Sequence, residues 1–254
     1  MVFLNKNKDI LERLIHIEGK IDRIEKRIRS NCDEEMMYLK SYSQNGEDVL
    51  ICHLFQRLNI NKPTYIDIGA HHPYRISNTA LLHELGSKGI NIEANPNLFD
   101  AFLEERPNDI NICCGIGKEK GIMPFYMIDK WSGRNSFIRD NVETFVKGNP
   151  NFYIQEIRNI EIKTLDDIVL EYNLCIEEEG IADYMSIDIE GLEYEVLSVF
   201  DMKKKGPKVL TLEIMKNDIE RENQLNKILE EADYDLWFRS GTNYTYIKNK
   251  YRFL

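Results

Sequence analysis

A chain of 254 residues, 43% of them hydrophobic, can bury one large core, which predicts one principal domain with an extension. Its formal charge of −10, from 33 basic and 43 acidic residues, argues against a surface built for nucleic acid or another polyanion. No run approaches the roughly 20 apolar residues of a membrane span. The first residues lack the apolar centre of a signal peptide, and the five cysteines have no CxxC spacing, so a cytoplasmic chain with reduced thiols is expected.

Residues 1–36 read as an N-terminal helix. Ile10, Leu14, Ile17, Ile21, Ile24 and Ile28 recur at spacings of four and three, with charged residues between them. Such a seam either packs on the chain's own domain or joins copies as a short coiled coil, and a homo-oligomer joined this way is expected. Residues 37–254 form the second predicted unit. In it, Ser41–Asp48 leads into a helix that is periodic from Val49 onward, and Glu47 and Asp48 suit that helix's positive end. Gln44 and Glu47 are placed either over a ligand pocket or in a simple cap.

The next stretch organises the rest. Tyr65-Ile66-Asp67-Ile68-Gly69-Ala70 is an apolar run containing an acid and ending at a glycine, as in the first strand of an open α/β sheet. A second run, Gly89-Ile90-Asn91-Ile92-Glu93, ends in an acid placed to accept hydrogen bonds from a ribose. Together they predict a nucleoside cofactor. A dinucleotide needs three glycines at the first turn, to make the turn, to admit the pyrophosphate and to pack the helix. Here Gly69 is followed by Ala70, His71, His72 and Pro73. S-adenosyl-L-methionine (SAM) carries adenosine without phosphate and fits this turn better than NAD(P). An NAD(P)-dependent oxidoreductase is the second reading, and a non-catalytic SAM-binding oligomerisation module is the third.

The cofactor-binding set is therefore Gln44, Asp67, Gly69, Ala70, His71, Ser77, Asn78, Glu93, Ala94 and Asn95, with Ser77 or Asn78 also able to cap the helix after Pro73. Asn95-Pro96 starts another helix. Ile110–Ile116 reads as the third strand, whose tip, including Gly115 and Ile116, lines the adenine. Residues 129–160 read as a long loop, and such loops are more often functional than not. Its Trp131 and Arg134 are placed to form a lid or hold substrate, and Lys130 and Arg134 suit a phosphorylated or nucleotide-linked acceptor.

In the second half, Thr164-Leu165-Asp166-Asp167 opens a helix. A buried strand from Tyr184 delivers Asp188 and Glu190 to the cofactor's edge of the sheet. Acids so placed are costly unless paired or used. Val209–Ile214 is a further strand carrying Glu213. A helix over 224–232 and strands over 234–239 and 243–248 finish the chain.

With these motifs in place, the chain resembles the FkbM family of SAM-dependent methyltransferases. The resemblance rests on Ser43–Asp48, Tyr65–Pro73 with Ser77-Asn78-Thr79, Ile92–Pro96, Thr164–Asp167 and Ile187–Gly191, in the family's order. It implies an α/β, Rossmann-like seven-strand fold and O-methylation, often of sugars in bacterial surface glycans such as capsule or lipopolysaccharide, or of natural products. Many members have Asn and a second Gly where this chain has His71 and His72. Because a sugar hydroxyl is a weak acid, its proton must be removed as the methyl arrives. Glu190 is the expected base, with His72 and His71 as rivals. Asp188 either orients that base beside the cofactor or joins Glu213 in holding a divalent cation.

Overall fold

Isoleucine–polar–isoleucine triplets recur in the first half of this chain, among them Ile66-Asp67-Ile68, Ile90-Asn91-Ile92 and Ile110-Asn111-Ile112. The computed structural model, which describes residues 40–174, 180–215 and 218–252, shows why. The chain runs through α1 (Glu47–Arg57), β1 (Tyr65–Ile68), α2 (Ala80–Glu84), β2 (Gly89–Ile92), α3 (Pro96–Glu105) and β3 (Ile110–Ile112). It continues through β4 (Gly115–Ile116), β5 (Gly121–Met127), α4 (Arg139–Gly148), β6 (Glu156–Lys163) and α5 (Leu165–Glu171). Then come β7 (Tyr184–Ile187), α6 (Glu193–Leu197), α7 (Met202–Lys205), β8 (Val209–Glu213), α8 (Ile219–Glu231), β9 (Tyr234–Ser240) and β10 (Asn243–Lys248). The predicted N-terminal helix lies outside the described residues.

The main sheet has seven strands in the order β3-β2-β1-β7-β8-β10-β9. The first five run parallel, and β10 is antiparallel to both its neighbours. This is the expected Rossmann-like arrangement. The chain leaves β1 towards β2 and β3 on one side, while β7 leads to β8 on the other. A crevice therefore opens at the carboxyl ends of β1 and β7, where the order reverses.

The repeated triplets give the sheet two unlike faces, because side chains alternate across a strand. Ile66, Ile68, Ile90, Ile92, Met185, Ile187, Leu210 and Leu212 form an apolar face packed on Leu165, Ile168, Val196, Leu225 and Leu229 of the covering helices. On the other face the register aligns Asn111, Asn91, Asp67, Ser186, Thr211 and Thr245 into one polar row. Its members bond laterally, Asn91 Nδ2 to Asn111 Oδ1 at 2.9 Å and Thr211 to Thr245 at 2.9 Å. The loop before α2 satisfies the rest: Thr79 Oγ1 donates to Asp67 at 2.6 Å and Asn78 Nδ2 to Ser186 Oγ at 3.1 Å. Arg106, fully buried at the end of α3, closes the network by donating to Thr79 Oγ1, Asn91 Oδ1, Ser77 Oγ and the Pro73 carbonyl.

Three local expectations change. The strand expected over 110–116 breaks at Cys113-Cys114, and Gly115–Ile116 joins a separate three-stranded sheet, β4-β6-β5. A Cβ at Gly115 would come within 2.6 Å of both Phe137 and Ile162, so this close approach depends on glycine. The stretch read as a loop over 129–160 contains α4 and β6. The short apolar stripe of α4, Val142 with Phe145 and Val146, buries only Val142 fully. The helix expected from 224 starts at Ile219, one residue after its cap Asp218, whose side chain accepts from Arg221 N at 3.1 Å.

Arg106 is the positive group opposite buried Asp67. Replacing it with methionine leaves its buried acceptors on Asn91 and Pro73 unmet and is expected to cost about 1–3 kcal/mol, the range for a buried polar group left without a partner. Urea unfolding of Arg106→Met, with Thr79→Val losing less, measures this.

Candidate active site

The carboxyl end of β1 turns at Gly69 (φ 76°). A Cβ there would lie 1.8 Å from the Asp188 carbonyl oxygen, so the β1 and β7 ends can meet only at a glycine. Gly69 N and Ala70 N both donate to the Ile92 carbonyl, at 2.9 and 3.1 Å, which swings the next residues over the tip of β2. His71 takes a left-handed conformation (φ 54°) and its N–H donates to Glu93 Oε2 at 2.7 Å. The other oxygen of Glu93 accepts from Asn95 N at 2.7 Å. One carboxylate thus ties together the loops after β1 and β2. Burial pushes its pKa up to about 7, against the pull of the Asn95 and His71 N–H groups. Each oxygen keeps acceptor capacity for a ligand hydroxyl.

Across the crevice, Asp188 and Glu190 follow β7 and Glu213 ends β8. One carboxylate oxygen from each lies within 4.8 Å of the others. Burial and then the charges of Glu213 and Glu190 hold Asp188 well above the usual carboxylate range. Burial and then Glu213 push Glu190 up to about 7, while the Arg134 guanidinium, 3.8 Å away, pulls it down. Glu213 also accepts from Thr242 Oγ1 at 3.1 Å.

Between these ends lies a cavity of about 440 Å³, within the usual range for small-molecule sites. Ile92, Leu98, Cys114, Ile116, Phe125 and Phe137 give it an apolar wall beside Glu93. Asp188, Glu190 and Glu213 also line it. Trp131, 59% exposed, and Arg134 stand on its rim. The Trp131 carbonyl is hydrogen-bonded to His71 Nε2 at 3.2 Å and accepts from Arg75 Nη2 at 3.4 Å.

Of the residues singled out from sequence, Gln44, Gly69, His71, Glu93, Ala94 and Asn95 line the cavity. Gly115, Ile116, Trp131, Arg134, Asp188, Glu190 and Glu213 line it too. Others stand outside the lining. Asp67 lies beneath, bonded to Thr79, and Ala70 is buried behind the turn. Ser77 Oγ accepts from Ala80 N at 3.2 Å, a cap-like bond at the start of α2, and Asn78 reaches Ser186. His72 Nδ1 accepts from the N–H groups of Tyr74 and Arg75, both at 3.1 Å, and so holds a turn. Lys130 contributes its carbonyl to Asn95 Nδ2 at 2.9 Å. Glu47 is fully buried, accepting from Asn45 N and Asn243 Nδ2. Sequence reasoning missed Arg75, Leu98, Phe125, Asn135 and Phe137. Phe125 and Phe137 come from the inserted sheet and its adjoining loop, which no cofactor motif marks.

A family model described as the methyltransferase FkbM domain matches residues 67–236. No curated protein matches the chain. Among solved structures, a ribosomal protein L11 methylase from Lactobacillus delbrueckii subsp. bulgaricus is 11% identical with a TM-score of 0.40, over 79% of this chain and 75% of that one. A TehB-like SAM-dependent methyltransferase from Corynebacterium glutamicum is 11% identical with a TM-score of 0.39, over 92% and 99%. A precorrin-6y C5,15-methyltransferase from Geobacter metallireducens is 16% identical with a TM-score of 0.36, over 85% and 93%.

The raised carboxyls carry a pH signature. Glu190 has a pKa of about 7 when folded against 4.5 otherwise. Between those values the unfolded chain has released its proton while the folded chain keeps it, so stability falls as pH rises. Below 4.5 both states are protonated and the loss vanishes. Glu190→Gln is expected to be more stable than the parent at pH 8 by up to about 3 kcal/mol, and equal to it at pH 4. Denaturant melts at the two pH values measure the difference.

Proposed function

Because the chain belongs to the FkbM methyltransferase family, we propose that it transfers the methyl group of SAM to a hydroxyl of a sugar-type acceptor, with Glu190 receiving the proton. The SAM-dependent activity follows from the family; the acceptor and the residue roles are this proposal. The reading rests on the three carboxylates gathered in the cavity lining. Glu93 and the apolar wall suit ribose and adenine, which leaves the sulfonium towards Asp188 and Glu190. There the positive sulfur is opposed by acids whose burial would otherwise be unfavourable.

The acceptor oxygen attacks the methyl carbon in line with the carbon–sulfur bond. The carbon–oxygen bond forms, the sulfur leaves with the electron pair as neutral S-adenosylhomocysteine, and the hydroxyl proton passes to Glu190. A base whose pKa lies at about 7 suits this task at neutral pH, since it is free half the time and still holds a proton well. Glu213 helps keep Glu190 raised through its charge, and Asp188 stands beside the donor. The protein's other contribution is to hold the two reactants in line.

A second reading shares the site. Asp188, Glu190 and Glu213 are three hard oxygen donors at a spacing that suits a divalent cation, which would supply positive charge to acidify the acceptor hydroxyl. Arg134 and Arg75 at the rim favour an acceptor bearing phosphate, a sugar phosphate or nucleotide sugar, with Trp131 offering a stacking face. Such acceptors belong to surface-glycan or natural-product synthesis. Cys52, Cys113 and Cys114 are free thiols, in keeping with a cytoplasmic enzyme. Among the described residues no helix is long and apolar enough to cross a membrane. Assembly into a homo-oligomer through residues 10–28 remains our proposal from the heptad seam.

Transfer of label from methyl-tritiated SAM to a panel of free sugars, sugar phosphates and nucleotide sugars tests the reaction. Label is expected in the phosphate-bearing acceptors, and Arg134→Ala should raise their KM about tenfold, as for one lost charged contact. Glu190→Gln should lower kcat by about 10²-fold or more while S-adenosylhomocysteine binds normally. Full turnover in Glu190→Gln would overturn the base. Loss of turnover in EDTA with recovery in Mg²⁺ would establish the cation instead. For the nucleoside end, Glu93→Ala should weaken S-adenosylhomocysteine at least about tenfold by calorimetry, and unchanged affinity would remove Glu93 from the ribose.

A further inference from the structure

Glu190 sits in a backbone conformation that it would not adopt by itself. Its φ is 54°, in the left-handed region, and Gly191 follows at φ 106°. For a residue with a Cβ that conformation is unfavourable, by roughly 1–2 kcal/mol, and persists only where the surroundings impose it. The surroundings here are specific. Glu193 Oε1 accepts from Ile189 N at 3.0 Å and from Gly191 N at 3.3 Å, so one oxygen grips the backbone on both sides of Glu190. Asn141 Nδ2, on α4, donates to the Glu190 carbonyl at 2.8 Å. Arg221, on α8, donates to the Gly191 carbonyl and forms a two-pronged ion pair with Glu195 at 2.7 and 2.9 Å.

Glu193 is itself 2% exposed. A buried acid three residues past the reacting one needs a reason, and helix capping does not supply it, because the N–H groups it binds precede α6. We propose that Glu193 is a positioning residue. It holds the Asp188–Gly191 turn in the left-handed form that directs the Glu190 carboxylate into the cavity beside Asp188 and Glu213. Asn141 serves the same turn from the opposite side. This rests on Glu190 acting at the sulfonium end, as proposed above. The segment Ile187-Asp188-Ile189-Glu190-Gly191-Leu192-Glu193 is then one device, with the reacting acid and its clamp encoded in the same short run.

The clamp separates from its consequence in experiment. The full-length protein is compared with Glu193→Gln, Glu193→Ala and Asn141→Ala. Amide hydrogen exchange over residues 188–191 reads the turn. Calorimetry with S-adenosylhomocysteine and with sinefungin, whose amine places a positive charge near the sulfonium position, reads the carboxylate. Glu193→Ala should speed exchange about tenfold or more, the loss expected for two hydrogen bonds. It should also lower the preference for sinefungin over S-adenosylhomocysteine by at least about threefold, as for one displaced charge, while S-adenosylhomocysteine affinity holds. Glu193→Gln keeps an acceptor oxygen in the same place and should restore both readouts. Should Glu193→Ala not fold, Asn141→Ala should move both in the same direction by a smaller amount.

Unchanged exchange in Glu193→Ala or, where that variant does not fold, in Asn141→Ala would overturn the proposal. So would a Glu193→Gln variant as open as the alanine. Glu190→Gln, run in parallel, isolates the underlying reading. If it leaves the sinefungin preference intact, Glu190 does not face the sulfonium, whereas the exchange data still decide whether Glu193 holds the turn.

Discussion

The structure depends on a polar row buried across its sheet. Asn111, Asn91, Asp67, Ser186, Thr211 and Thr245 stand side by side on one face, where apolar residues would be cheaper to bury. The row needs partners, and it finds them in Thr79, Asn78 and Arg106. Because the same Arg106 also binds Ser77 and the Pro73 carbonyl, satisfying the row fixes the loop between β1 and α2. That loop begins with His71, whose N–H meets Glu93, and it carries Arg75 to the cavity rim. Burial of a polar layer is thereby converted into the shape of a ligand site.

The two ends of the cavity use carboxylates in opposite ways. At the nucleoside end Glu93 has both oxygens engaged by backbone N–H groups, so it is a fixed acceptor. At the other end Asp188, Glu190 and Glu213 face one another, and their mutual repulsion adds to burial in holding protons on Asp188 and Glu190. A cationic donor relieves that repulsion when it binds. The sulfonium is such a donor, and its neutral product is not. With the sulfonium placed as we propose, the arrangement favours the substrate form of the cofactor over the spent form.

The small sheet β4-β6-β5 adds to the cavity what the main sheet does not supply. Phe125 and Phe137 from this region wall the cavity, and the segment between β5 and α4 carries Trp131 and Arg134 to its rim. In the proposed reading the α/β crevice holds the donor, while the small sheet shapes the space in which an acceptor is chosen. Site features on such insertions are the ones that loops on a rigid scaffold commonly supply.

By itself the sequence determined the strand grammar. Apolar triplets ending in Gly69 and Glu93 named a parallel sheet and a phosphate-free nucleoside, and Asp188 with Glu190 marked the far end, because an acid inside an apolar strand is costly and therefore informative. Thr164 to Asp167 announced a helix start, and the structure closes that start with a capping box. Tertiary structure decided what periodicity cannot encode. Whether Asp67 or Glu93 reaches the ligand depends on which face of each strand is covered and by what, and Arg106, some 40 residues from Asp67 in sequence, decides it for Asp67. The helix α4 was legible as the spacing of Val142, Phe145 and Val146 but was passed over among polar residues, whereas the break at Cys113-Cys114 was hidden because the pairing that separates Gly115–Ile116 from the main sheet is with β6, far along the chain. Local spacing records which residues alternate; only the packed chain records what stands opposite them.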